Sequence, residues 1–241
     1  MTERLDKLVS SQSGLSRREA VQRIRAGRVT VDGKPCRRPA DKVPTEALVA
    51  VDGKPLSYEK HVYYMLNKPA GILCVSRDPK VRTVVDLLPP EYRRRGLFPA
   101  GRLDKDTHGM VLITDDGAFA HEILSPRRHI PKTYRAVLDG AYTEEMAAAF
   151  RAGPTLADGT KCLPAGLRLI EDGKQPLVEV VIEEGKFHQI KRMFLAVGRR
   201  VVWLKRIAMG GLPLDEALAE GECRPLTEAE KLNILNEKNG E

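Results

Sequence analysis

A carboxylate between two glycines is the feature of this sequence best placed to do chemistry. Residues Gly101–Gly109 read GRLDKDTHG, and the apolar run Met110–Thr114 that follows has the length and β-branched content of a buried strand. Asp104 therefore lies on a tight connection that leads into a rigid element, where a reactive group can be held still. We take Asp104 as the candidate catalytic carboxylate. A solvated turn without function is the simplest alternative.

The same stretch is also close to a calcium-binding loop. From Asp104 onward, DKDTHGMVLITD has acidic residues at loop positions one and three, a glycine at six and an apolar residue at eight. Position five, however, is His108, which is a poor ligand for a hard cation, and position twelve is Asp115, which is shorter than the usual bidentate glutamate. The flanking sequences are not helical. The sequence therefore favours a catalytic loop over a calcium site.

No other part of the sequence indicates a metal or a cofactor. The four cysteines are far apart and form no CxxC pair, so neither a disulfide framework nor a zinc site is suggested. The chain also has no P-loop and no glycine-rich nucleotide-binding turn. We expect neither a metal nor a cofactor. A metal-dependent nuclease is kept as an alternative, with the candidate ligands Asp104, Asp106, Asp115 and Asp116.

The charge of the chain indicates a polyanionic partner. Forty Lys and Arg residues against 33 Asp and Glu give a net charge of +7, and residues 1–60 alone hold 13 basic and 8 acidic side chains. This imbalance is the usual electrostatic signature of nucleic-acid binding. The further basic clusters are Arg93–Arg95, Arg127–Arg128, Lys191–Arg192, Arg199–Arg200 and Lys205–Arg206. Any single cluster could equally be part of a solvated surface.

The start of the chain and its hydropathy pattern predict a cytoplasmic protein that does not enter a membrane. The first residues, MTERLDKLVSS, lack the apolar core of a signal peptide. No apolar segment approaches the roughly 18 residues that a membrane-spanning helix needs. Free cysteines fit a reducing compartment.

The N-terminal residues predict a small domain of two helices followed by hairpins. One helix is expected over residues 3–10, and Ser16 and Glu19 have the spacing of a capping box that begins a second helix. Asp32-Gly33 and Asp52-Gly53 are strong signals for two-residue hairpin turns. The segment resembles the RNA-binding module named after ribosomal protein S-four. This resemblance implies RNA-backbone contacts by Arg4, Lys7, Arg17, Arg18, Arg23 and Arg28.

A change of pattern after this module predicts a second, larger domain. We expect the module at residues 1–55, a linker at 56–61 and a catalytic domain at 62–241. In the larger part, strands are expected at 62–66, 72–75, 110–114, 132–138, 177–183 and 201–204, and helices at 83–88, 117–124, 143–151, 187–197 and from 227 onward. Short strands with helices between groups predict an α+β domain on a mixed, mainly antiparallel sheet.

Four motifs carry a resemblance to a known enzyme family. They are MLNKPAG (65–71), GRLDKDTHGMVLITDDG (101–117), SPRRHIPKTYRAVL (125–138) and EEGKFHQIKRMF (183–194). In this order, behind an S-four-like module, they resemble the RsuA family of pseudouridine synthases. The resemblance implies a cofactor-free enzyme that isomerises a uridine in ribosomal RNA.

The resemblance also implies a catalytic set. It places the catalytic aspartate on Asp104, an aromatic ring against the target base at Tyr134, and a cation beside the carboxylate at Lys191. Asn67, Lys68, Arg102 and Arg192 are expected to contact the RNA. Taken alone, Tyr134 would read as a half-buried strand tyrosine, and His188 as a structural hydrogen-bonding residue rather than a base.

The finer features favour one member of the family over others. The compact length, the TDDG after the central motif and the SPRRH segment are more similar to enzymes that act on small-subunit (16S) ribosomal RNA. The expected partner is that RNA or an assembly intermediate, bound by a monomer. The alternatives are a large-subunit enzyme of the same family and a non-catalytic RNA-binding assembly factor.

Overall fold

The N-terminal part of the chain folds around two helices and two small antiparallel sheets. The computed structural model describes residues 1–94 and 96–235. In chain order the first elements are β1 (Thr2–Arg4), α1 (Leu5–Gln12), α2 (Arg17–Arg25), β2 (Val29–Val31), β3 (Lys34–Pro35), β4 (Lys42–Pro44), β5 (Val49–Val51) and β6 (Lys54–Leu56). β1 pairs with β4, and the order of the other sheet is β3-β2-β5-β6.

Local signals in the sequence explain most of these elements. The Ser16 side chain accepts a hydrogen bond from the backbone N–H of Glu19, and the Glu19 carboxylate accepts one from the N–H of Ser16, so the predicted capping box begins α2. Asp32-Gly33 and Asp52-Gly53 all have positive φ, the geometry of a tight turn between paired strands. Both predicted hairpins therefore form.

A separate apolar core holds this part together. It is built from α1, α2 and the facing strand residues, namely Leu5, Leu8, Val9, Ala20, Ile24, Val29, Val43, Val49 and Val51. Leu56 packs against this core and pairs with Val49, so the first residue of the expected linker belongs to the last strand of the small sheet. The assignment of residues 1–55, 56–61 and 62–241 to separate domains otherwise stays a proposal.

The larger part of the chain is built on one nine-stranded sheet. Its strands are β7 (Tyr63–Lys68), β8 (Phe98–Ala100), β9 (His108–Thr114), β10 (Lys132–Leu138), β11 (Gly166–Glu171), β12 (Leu177–Ile182), β13 (Val201–Met209), β14 (Leu212–Pro213) and β15 (Cys223–Pro225). The order is β11-β12-β10-β13-β9-β7-β15, with β14 on β13 and β8 on β9. Only the pair of β9 and β13 is parallel among the described strands. The predicted α+β class and mixed, mainly antiparallel sheet are confirmed.

Helices cover both faces of this sheet. They are α3 (Gly117–Leu124), α4 (Glu144–Ala152), α5 (Gln189–Ala196) and α6 (Glu228–Leu235). Phe150 of α4 and Phe194 of α5 pack against each other in the core on one face, and Ile123 of α3 and Ile234 of α6 lie in the core on the other. Among the described residues, no helix has the length and apolar character needed to cross a membrane.

Two predicted elements are wrong, and several strands were not predicted. Residues 72–75 form no strand, although Leu73 makes an isolated bridge to Thr83, and residues 83–88 contain only the short 3₁₀ turn Val85–Leu87. Pro89 and Pro90 explain why no longer helix forms. The unpredicted strands, among them β8, β11 and β15, are short or lack clean alternation. Their pairing partners rather than their own sequence place them in the sheet.

Arg94 connects the two parts of the chain. Its guanidinium donates to the Asp115 carboxylate at the end of β9 (Nε–Oδ2 2.7 Å), to Oε1 of Gln12 in α1 (3.2 Å), and to the carbonyl oxygens of Glu59 and Lys60 (2.9 and 3.0 Å). The side chain is only 7% exposed. Arg94 was expected in an RNA-binding cluster, but it acts as a buried link between domains and is unavailable to RNA. Its neighbour Arg95 lies outside the described residues.

Candidate active site

Asp104 lies on the connection between β8 and β9. The backbone N–H of Thr107 donates to the Asp104 carbonyl oxygen (3.1 Å), so the chain turns tightly at the carboxylate before β9 begins. Gly109 follows with φ +100°, and a Cβ there would lie 2.2 Å from the Arg206 carbonyl oxygen of β13. Only glycine therefore allows β13 to approach this closely. The sheet thus fixes the end of the connection and, with it, the position of Asp104.

Lys191 is the cation nearest to this carboxylate. Its Nζ lies 3.3 Å from Oδ2 of Asp104 and 2.5 Å from Oδ1 of Asp106. The hydrogen bond from Lys191 lowers the pKa of Asp106 below its usual range, although burial of the carboxylate acts in the opposite direction. Lys191 is 22% exposed and Asp104 27%, so both remain accessible from solvent. The structure brings together the aspartate and lysine that the sequence proposed as partners.

His188 lies near the other carboxylate oxygen of Asp104. Its Nε2 lies 3.6 Å from Oδ1 of Asp104. The residue immediately precedes α5 and has φ 49° and ψ 34°, a left-handed conformation that non-glycine residues seldom adopt. From the sequence, His188 is predicted to be a structural hydrogen-bonding residue. Its position beside the carboxylate makes it a further candidate for the site, and no sequence signal marks the backbone conformation that places it there.

Tyr134 lies under the pocket that Asp104 borders. It belongs to β10 and is 7% exposed, with its side chain among the core residues on the α4–α5 face. The pocket has a free volume of about 80 Å³. Its lining includes Asp104, Tyr134, Lys191, His188 and Arg102. Such an arrangement provides a carboxylate, a flanking cation and an aromatic surface around one opening, as base binding next to a reactive group would require.

A larger cleft lies elsewhere in the molecule. It has a volume of about 1130 Å³ and is lined by residues of α1, β6, the linker and α6, together with Tyr92 and Arg94. None of the predicted catalytic residues borders it. This cleft lies between the N-terminal part of the chain and the larger part, and its size alone does not make it the reaction site.

Asn67 and Lys68 are buried, contrary to the prediction from the sequence. Both were expected to contact RNA, but Asn67 is 3% exposed and Lys68 is fully buried. The Lys68 Nζ donates to four carbonyl oxygens, those of Pro69 (3.0 Å), Asp104 (3.2 Å), Lys105 (3.1 Å) and Thr107 (2.8 Å). Burial lowers its pKa. Lys68 thus holds the backbone of the Asp104 connection and does not face the substrate side.

The other predicted RNA contacts lie at or near the surface. Arg4 and Arg17 both pair with Asp6, Lys7 pairs with Glu3, and Arg23 and Arg28 pair with Asp52. Arg18 is exposed and makes no ion pair with another described residue. The paired cationic side chains are 34–59% exposed, so phosphate groups can reach them. Arg102 is exposed at the pocket, and Arg192 is partly exposed and pairs with Asp158.

The carboxylates proposed for a nuclease do not converge. Asp104 and Asp106 precede β9 and share Lys191, whereas Asp115 and Asp116 follow the strand. A seven-residue strand separates the two pairs by roughly 20 Å. Asp115 binds Arg94, and Asp116 accepts from the Tyr63 hydroxyl and caps α3. Within residues 1–94 and 96–235, no group of three or more possible ligands is placed to hold a metal ion.

The fold and the motifs place the chain in a defined class of protein. Residues 62–196 match the family described as RNA pseudouridylate synthase, and residues 3–49 match the S4 domain. The chain belongs to the RNA pseudouridylate synthase family, and it is an isomerase that modifies RNA. The predicted resemblance to the RsuA group, with its S-four-like module, is confirmed.

Individual relatives make the placement more specific. The chain is 47% identical over 237 residues to the ribosomal small subunit pseudouridine synthase A of Salmonella typhimurium, which covers 96% of this chain and 99% of that protein. It is 45% identical over 236 residues to an uncharacterized RNA pseudouridine synthase of Bacillus subtilis, covering 97% and 98%. A solved pseudouridylate synthase matches with a TM-score of 0.67 and 37% identity over 96% of this chain and 99% of that one.

Proposed function

We propose that this protein isomerises a specific uridine to pseudouridine in small-subunit ribosomal RNA. The full-length similarity to enzymes named for the small ribosomal subunit supports this substrate. The observation that carries the chemistry is the group of Asp104, Lys191 and His188 at the mouth of a pocket above Tyr134. We also propose that the protein acts as a monomer in the cytoplasm, without metal or cofactor.

The reaction moves one bond and leaves the atomic composition unchanged. The bond between N1 of uracil and C1′ of the ribose breaks, a bond between C5 and C1′ forms, and C5 loses a proton while N1 gains one. Asp104 supplies a carboxylate that attacks the sugar or takes a proton from it, and such steps need an ionised group. Lys191, with its Nζ 3.3 Å from Oδ2 of Asp104, holds this carboxylate in position.

The remaining residues hold the substrate. A uridine in RNA must leave its stack before its C1′ can be reached, and Tyr134 offers the ring against which its base lies. The cations of the N-terminal domain, with Arg102 and Arg192, bind the phosphate backbone of the distorted RNA. Lys68 keeps the Asp104 connection in one conformation through its hydrogen bonds to the carbonyl oxygens of Asp104 and Thr107.

Mapping pseudouridines in ribosomal RNA tests the proposal. RNA from cells that lack the protein should contain uridine in place of one pseudouridine in the small-subunit RNA. The purified protein should restore it on the unmodified transcript or on an assembly intermediate, also in the presence of EDTA if the RNA is folded beforehand. Loss of a site in the large-subunit RNA would assign the protein to the other ribosomal RNA. No lost site would favour a non-catalytic assembly factor.

A further inference from the structure

Phe187 is a large apolar side chain that lies outside the hydrophobic core. It precedes α5 and is 73% exposed, whereas Ile190 and Phe194 in the same helix are buried. A single exposed hydrophobic side chain is common and needs no explanation. What distinguishes Phe187 is its neighbour, because its ring stacks on that of His188 with centroids 3.8 Å apart and planes inclined by 20°. His188 in turn lies 3.6 Å from Asp104. The exposed ring is therefore one side chain away from the candidate catalytic carboxylate.

The backbone holds the stacked pair in place. His188 has the left-handed conformation, which is strained for a non-glycine residue and persists only where neighbouring contacts maintain it. Those contacts are present: the Lys186 N–H donates to Oε1 of Gln189 (2.8 Å), and Gln189 Nε2 donates to Glu184 (2.6 Å). Arg192 Nη1 donates to the Phe187 carbonyl oxygen (3.3 Å). Strained residues of this kind concentrate at ligand-binding sites.

We propose that Phe187, backed by His188, is a stacking platform for an unpaired RNA base next to the target uridine. The inference deepens the proposed function and depends on it. When a uridine leaves its stack, its neighbour loses a stacking partner, and an aromatic side chain can replace that partner. Arg192, on the first turn of α5, supplies positive charge beside the platform for an adjoining phosphate. This setting fits a nucleotide better than an apolar protein surface.

Rate measurements with matched variants test the platform. The substrate is the small-subunit transcript segment that contains the mapped uridine. Phe187→Ala should lower kcat/KM about tenfold or more, within the range that base–aromatic stacking contributes per base. Phe187→Trp, which keeps a stacking face, should stay within about threefold of wild type. Leu232→Ala is the control, because Leu232 is similarly exposed (60%) but lies on α6, away from the pocket.

Abasic substitution identifies the stacked base. Each nucleotide that flanks the uridine is replaced in turn by an abasic residue, and both wild type and Phe187→Ala are measured. At one position the replacement should slow wild type but leave Phe187→Ala unchanged. Equal rates for Phe187→Ala and Leu232→Ala would overturn the platform but not the proposed function. The same conclusion would follow if every abasic substitution slowed wild type and Phe187→Ala equally. A wild-type protein that forms no pseudouridine on any ribosomal RNA would overturn the proposed function and the platform with it.

Discussion

Lys68 and Lys191 both contact the Asp104 connection, Lys68 through its backbone and Lys191 through its carboxylates, and their surroundings differ. Lys68 is fully buried, on β7 between β9 and β15, and all four of its acceptors are backbone carbonyl oxygens. Lys191 is partly exposed, on the first turn of α5, and both of its partners are carboxylates. One ammonium group stabilises the conformation of the chain, and the other faces the pocket.

This contrast separates the positioning of the carboxylate from its chemistry. A buried cation satisfied by carbonyl oxygens has no free bonding capacity for a substrate, but its loss leaves buried acceptors without donors. An exposed cation that bridges two carboxylates contributes little to folding, because solvent screens it. Substitution of Lys68 should therefore mainly lower stability, and substitution of Lys191 should mainly lower the reaction rate. If both affect the same property equally, the two lysines do not have these separate roles.

The largest effect is expected at Asp104, on which both lysines act. Asp104→Asn keeps the shape of the side chain and removes its charge, so it should reduce pseudouridine formation by about 10⁴-fold or more. RNA affinity and the thermal midpoint should stay close to those of wild type. Single-turnover formation of pseudouridine, together with filter binding, measures both. Appreciable turnover by Asp104→Asn would show that another group carries the reaction.

Lys191 comes next, with an effect on rate and not on folding. Lys191→Met should slow the chemical step about 10²- to 10³-fold, as expected for removal of one preorganised electrostatic contact. Lys191→Arg should retain more activity at every pH.

The contrary outcome for Lys191 is equally specific. If Lys191 only binds a phosphate, its loss would weaken RNA binding while the single-turnover rate at saturating RNA stays unchanged. Single-turnover rates at saturating RNA, measured together with RNA affinities, separate these two roles.

The sequence indicated which residues line the pocket, but not which buried residues hold the Asp104 connection in place. Asp104, Tyr134 and Lys191 are distant in the chain, and the motifs nevertheless named the three that meet at one opening. The burial of Lys68 could not be predicted in the same way. It depends on β7 being an interior strand of the sheet, and the pairing of β15 with β7 comes from residues that show no strand pattern.

The same limit applies to the charged clusters. A run of arginines in a sequence is typical of a surface patch. Arg94 is nevertheless buried, because it donates to Asp115 and to the carbonyl oxygens of the linker. Arg206 is also buried, at 3% exposed, and donates to the Met110 carbonyl oxygen. Local signals such as the Ser16 cap and the Asp-Gly turns were predicted correctly because a few adjacent residues determine them. Contacts between distant segments determine which cations are buried.

Lys68 should show its effect first in stability. Lys68→Met leaves the carbonyl oxygens of Asp104 and Thr107 without their donor, so we expect a loss of about 3 kcal/mol in the free energy of unfolding. Urea denaturation measures this loss. Activity per folded molecule should fall less than for Lys191→Met. An unchanged free energy of unfolding would contradict the structural role.

The pH dependence of stability gives a second test at Lys68. Burial lowers its pKa, so the folded protein releases this proton at a lower pH than the unfolded chain does. The unfolded state then binds more protons, and stability rises with pH up to the ordinary lysine pKa of about 10.5. The stability difference between wild type and Lys68→Met should therefore widen from pH 7 to pH 9.5. A narrowing difference would show that the pKa is raised instead.

The smallest effect is expected at Arg18, an exposed cation of the N-terminal domain without an ion-pair partner among the described residues. If it contacts one phosphate, Arg18→Ala should reduce the slope of log K against log salt by about 0.7–0.9 and weaken binding a few-fold at moderate salt. The rate at saturating RNA should not change, because no residue of the N-terminal domain lines the pocket. Arg168→Ala is the control, since Arg168 is also exposed but lies on β11 and pairs with Glu179. Binding isotherms at several salt concentrations, with single-turnover rates for both variants, decide the matter. A lower rate at saturating RNA for Arg18→Ala would show that the N-terminal domain also orients the substrate. Cations that bind RNA and cations that act at the pocket would then not be separate groups.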